Sequence, residues 1–75
     1  MKHGRLVKLV FAETEPGAVA NRSILYIVAV ENSGEAVEIV RSRLAREGDK
    51  VEDVGRVSNQ LLNALNLAPG EFTRA

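Results

Sequence analysis

The stretch Ser23 to Val30, SILYIVAV, holds seven apolar residues in eight and then breaks into Glu31-Asn32-Ser33-Gly34-Glu35. A continuous apolar run of this length, rich in β-branched residues and closed by a turn signal, reads as a strand buried on both faces. Ile24, Tyr26, Val28 and Val30 alternate onto one face, and Leu25, Ile27 and Ala29 onto the other. Any fold open to this chain must therefore cover the strand from above and from below.

The segment before it, Leu6 to Ala12, reads LVKLVFA. Val7, Leu9 and Phe11 point one way, and Leu6, Lys8, Val10 and Ala12 the other, with only Lys8 polar. This is a second strand, with Lys8 marking a side nearer to solvent. The connection Thr14 to Arg22, TEPGAVANR, is far too short for a helical crossover. The two strands are therefore expected to be antiparallel neighbours. Pro16-Gly17 suits the central positions of a type II turn, because proline presets φ and glycine accepts a positive φ.

Helical signals begin at Asn32. Its side chain can cap free N–H groups, and Glu35 three residues on gives capping-box spacing. Ala36, Val37, Val40 and Leu44 share one face at a 3.6-residue period, while Ile39 lies off that stripe as a rim contact or part of a second interface. Gly48 fits the C′ position after such a helix. Beyond Asp49 two readings compete. As a strand, VEDVGRV alternates badly. As a helix, Val51, Val54, Ser58, Leu61 and Leu65 fall on a 3-4-3-4 spacing with Leu62 alongside. The helix, over about residues 50–66, is the preferred reading, although Gly55 costs about 1 kcal/mol against alanine inside one. Pro69-Gly70 then ends it, leaving residues 68–75 as a flexible tail from which Phe72 can fold back. The expectation is one α+β domain over residues 1–75, an antiparallel hairpin followed by two helices (β-β-α-α). The strand reading gives β-β-α-β-α instead.

Composition narrows the function classes. The 75 residues contain no cysteine and a single histidine, His3, so thiol chemistry, disulfides and thiolate metal sites are excluded. Ten basic residues balance ten acidic ones, which removes any global field toward nucleic acid or anionic lipid. The N-terminal segment mimics a signal peptide only weakly, since Lys8, Glu13 and Glu15 interrupt it. The longest apolar run is too short to cross a membrane, and the chain reads as a cytoplasmic protein.

Few residue constellations suggest chemistry. The turn at Asn32-Ser33-Gly34 lacks phosphate-loop spacing and is flanked by Glu31 and Glu35, so it reads as a self-satisfied cap. The carboxylate pairs Glu13/Glu15 and Glu52/Asp53 have no histidine or further acid converging on them in sequence. Arg41, Arg43, Arg46, Lys50 and Arg56 form the one basic cluster and are the candidate nucleic-acid contacts. Against that reading, Glu38, Glu47, Asp49, Glu52 and Asp53 dilute the field, and late arginines suit a helix dipole. Asn59, Asn63 and Asn66 line up on the expected second helix, either as a solvated face or as a hydrogen-bonding contact surface.

Two short helices cannot cover both faces of a two-stranded ribbon. The chain is therefore expected to be completed as a homodimer, with Ile24, Tyr26, Val28, Ile39, Asn59, Asn63 and Asn66 as candidate interface residues. The leading functional expectation is a non-enzymatic protein–protein interaction or structural module, with no cofactor or metal. The alternatives are nucleic-acid binding through the basic end of the first helix and a small-ligand regulatory domain.

Overall fold

The computed structural model describes residues 2–11 and 22–75. They form a four-stranded antiparallel sheet with two helices, an α+β fold. The elements run β1 (His3–Val10), β2 (Ser23–Val28), α1 (Ser33–Leu44), β3 (Lys50–Ser58), α2 (Asn59–Ala64) and β4 (Phe72–Arg74). The strand order is β3-β1-β2-β4. As expected, β1 and β2 are antiparallel neighbours, paired from Arg5 opposite Val28 to Val10 opposite Ser23. The Pro16-Gly17 turn, Ala12 and the Glu13/Glu15 pair lie outside the described residues.

Each face of this sheet receives one helix. Val7, Leu9 and Val28 are buried on the first face against Ala36 and Val40 of α1. The helix starts where the sequence indicates: the Asn32 side chain accepts the Glu35 N–H at 3.0 Å. Its buried stripe is Ala36 and Val40, and Ile39 and Leu44 pack at the rim. Gly48 is not the C′ residue. The helix ends at an extended Ala45, whose N–H reaches the Arg41 carbonyl, and Gly48, with φ of 90°, serves the next turn. On the second face Ile27, Ala29, Val57 and Leu62 form a separate core, with Leu6 and Leu67 against it.

The expected helix over 50–66 is corrected. Residues 50–58 are β3 and only 59–64 are helical; the order is β-β-α-β-α-β, which differs from both expected orders, the β-β-α-β-α alternative lacking the final strand. The cause is a β-bulge. Val7 pairs with Asp53 but Leu6 with Gly55, and Val54 is the extra residue. The bulge reverses the alternation, so Val51 and Asp53 share the first face while Gly55 and Val57 lie on the second. Asp53 fastens it from both carboxylate oxygens. Oδ1 accepts the Gly55 N–H at 3.1 Å, and Oδ2 accepts from Arg5 Nε at 3.0 Å and also from Arg5 Nη2. Both side chains of this ion pair are largely buried, 17% and 14% exposed.

The last residues also differ from the expected flexible tail. Phe72, Thr73 and Arg74 pair with Val28, Ile27 and Tyr26 as β4. The Gly70 N–H donates to the Ala29 carbonyl and the Ala29 N–H to the Glu71 carbonyl, so Pro69-Gly70 turns the chain into a strand. Phe72 meets Tyr26 edge to face, with ring centroids 5.9 Å apart, which accounts for the half-burial of both.

Candidate functional site

The six-residue helix α2 crosses the second face over β1 and β3. It begins beside His3, at the end of β3, and its exit at Leu67 leads to the bonds around Ala29 beyond β2. The Ser58 hydroxyl caps its start by accepting the Leu61 N–H at 3.2 Å. Its end is a Schellman turn: the Leu67 N–H donates to the Leu62 carbonyl and the Asn66 N–H to the Asn63 carbonyl. Asn66, with φ of 55°, is the left-handed residue this turn requires. Leu62 and Leu67 supply its hydrophobic contact.

Leu62 points down at Gly4, which has to lack a side chain. A Cβ there would stand 2.6 Å from the Val28 carbonyl oxygen and 3.0 Å from a Leu62 methyl. With Leu62 facing the sheet, helical geometry sets the other positions. Leu61 and Leu65, one turn apart, take the flank toward the Lys8–Leu25 row of the sheet. Asn59 and Asn63 take the opposite flank, and Gln60 and Ala64 point away from the sheet. Leu61 and Leu65 are each 41% exposed and Leu25 is 40% exposed. Among the described residues no helix lies above the rows of Lys8, Val10, Leu25 and Glu52, since α2 packs at the Gly4–Leu6 end.

The sequence-derived interface residues do not gather on one surface. Ile24, Tyr26 and Val28 share the first face, the one α1 packs against, and Val28 is fully buried. Ile39 is a rim contact of α1 with the core. Asn59 and Asn63 are exposed on α2, on the other side of the sheet, and Asn66 shapes the chain reversal. The exposed apolar side chain of β2 is Leu25, on the opposite alternation from the one named. The basic residues are dispersed as well. Arg41 and Arg43 are exposed on α1, with Arg41 3.4 Å from Glu38. Arg46 follows the helix, Lys50 lies on the second face and Arg56 on the first.

A pocket between ribbon and helices belongs to the small-ligand reading, and a cleft of about 530 Å³ lies there, at the carboxyl end of α1, with a lining that no sequence pattern announces. Its apolar lining is Leu9, Phe11, Tyr26 and Leu44, and its charged lining Arg46, Glu47 and Asp49. The Arg46 backbone N–H donates to the Asp49 carboxylate at 2.9 Å. One guanidinium and two carboxylates stand on this rim. Among the described residues no three His, Asp or Glu side chains gather as metal ligands, and no helix is long and apolar enough to cross a membrane. Comparison with known proteins found no family model, no curated protein and no solved structure that matches this chain.

Proposed function

We propose that this chain is a small non-enzymatic protein–protein interaction module that self-associates as a homodimer. The observation that carries the reading is the large apolar surface left in water: Leu25, Val54, Leu61 and Leu65 are each 40% to 47% exposed. Isolated exposed leucines are ordinary, but three of these border one uncovered part of a sheet face, which is the pattern of a contact surface. Among the described residues no three His, Asp or Glu side chains gather as metal ligands. Arg5 and Asp53, a largely buried charged pair, are committed to the bulge. Sedimentation velocity from about 1 to 200 μM, a range suited to small interfaces, tests the reading. The sedimentation coefficient is expected to rise with concentration toward the dimer value, and one monomer mass throughout removes the proposal.

The cleft beside α1 favours a second reading, a small-ligand regulatory domain. A screen of small amphipathic compounds for thermal stabilisation tests it. Shifts abolished by Tyr26→Ala, with the fold retained, would support it.

A further inference from the structure

The longest stretch of this chain without a charged residue runs from Val57 to Gly70, fourteen residues in a sequence with twenty charges. Charge-free runs are expected where a chain is buried, as in SILYIVAV. This one is mostly in water: eleven of its fourteen residues are exposed, and it includes all of α2. Depletion of charge together with exposed apolar side chains is a compositional mark of the centre of a protein interface. Resting on the self-association reading above, we infer that α2 is the dimer contact, and that each copy lays its α2 over the uncovered half of the other copy's second sheet face.

The shape argues for a second copy as the occupant. A helix stands about 10 Å from the sheet it packs on, so α2 forms a step, and the rows beyond it form a shelf. At about 3.4 Å per residue, the Lys8 and Val10 rows make that shelf roughly 10 Å wide, the diameter of one helix. Step and shelf are complementary under a two-fold axis parallel to α2, midway between two stacked sheets. The two α2 helices then lie side by side. Leu61 and Leu65, on the flank facing the shelf, meet the same residues of the second copy. Gln60 and Ala64, pointing away from their own sheet, face the partner's Val10 and Leu25.

Electrostatics agree with this arrangement. The shelf carries Lys8, Lys50 and Glu52, and an uncharged helix sets no like charge against any of them. The Gln60 amide can bond either sign. Lys8 is already half-buried, and its stem can lie flat while the ammonium reaches the edge. Pairing through sheet edges is the alternative route to a dimer, and both edges resist it. β4 is three residues long, and β3 has a bulge and carries Lys50, Glu52 and Arg56.

The absence of native cysteine makes the test direct. Single variants Leu61→Cys and Leu65→Cys, with Ser42→Cys on the exposed side of α1 as control, are oxidised at a concentration where the parent sediments as a dimer. Both α2 variants are expected to form disulfide-linked dimers at least about tenfold faster than the control, since a bond needs Cα atoms within about 7 Å. A Leu61→Asp/Leu65→Asp variant is expected to stay monomeric with an unchanged circular dichroism spectrum. If the parent is dimeric but the α2 cysteines cross-link no faster than Ser42→Cys, the placement is wrong and self-association stands. If the parent is monomeric throughout, both fail.

Discussion

Replacing Gly4 by alanine tests the packing of the second face at its tightest point. The added carbon would lie 2.6 Å from the Val28 carbonyl oxygen, with Leu62 methyls at 3.0 and 3.2 Å. The methyls can swing aside. The carbonyl cannot, because it belongs to a backbone whose own side chain is fully buried between sheet and α1. Relief requires β1 and β2 to separate locally, and overpacking of that kind costs about 2–3 kcal/mol. Alanine gains back about 0.5–1 kcal/mol by reducing the freedom of the unfolded chain. The net loss is therefore about 1–2.5 kcal/mol, or roughly 4–20 °C in Tm for a domain of this size. Urea denaturation of Gly4→Ala beside Gly55→Ala measures it. A Cβ at Gly55 would meet no atom within 4 Å, so alanine there is expected to be tolerated without loss. Adding Leu62→Ala should fail to rescue Gly4→Ala, since the carbonyl remains. Equal midpoints for Gly4→Ala and the parent would refute the close approach of β1, β2 and α2.

The ion pair at the bulge should show coupling. In a double-mutant cycle with Arg5→Met and Asp53→Ala, the interaction term in urea denaturation is expected at about 1–2 kcal/mol, above that of a surface pair, because both groups are mostly buried. Residue 66 should discriminate by conformation alone. Asn66→Gly is expected to match or slightly exceed the parent in Tm. Asn66→Val should lose about 1–2 kcal/mol, since a β-branched residue resists a φ of 55°.

The parts of this fold legible in the sequence are those with a local cause. The β1–β2 hairpin follows from two apolar runs and a short connection, and the start of α1 from Asn32 with Glu35. β3 is hidden because one extra residue, Val54, puts its two halves on opposite alternations, and the resulting spacing imitates a helix. The device that holds the bulge is a contact between Arg5 and Asp53, 48 positions apart, which no local pattern announces. β4 is only three residues, too short for a periodic signal, and takes its hydrogen bonds from β2. The candidate surface is misplaced in the sequence for a related reason. The apolar excess of SILYIVAV is legible, but which alternation stays open depends on where each helix lands.

That dependence also gives the proposed self-association a different basis from a bare ribbon. A ribbon needing cover is not what this chain forms, because β3 and β4 complete the sheet and each face has its own helix. The two helices differ in reach, however. α1 has twelve residues, contacts β1 and β3 and buries Ala36 and Val40, whereas α2 has six and buries one side chain, Leu62. A six-residue helix is about 9 Å long and covers a small part of a face built from strands of six to nine residues. Because α2 crosses the strands at the Gly4–Leu6 end, the Lys8–Leu25 row lies beside its Leu61 and Leu65 flank and not under it. The chain caps the helix at Leu65 with a left-handed Asn66 and turns toward β4, keeping Leu61 and Leu65 in water. Surface leucines beside an uncovered sheet row are a liability for a monomer and an asset for a dimer, so the self-association proposal depends on the exposed flank of Leu61 and Leu65 beside Leu25.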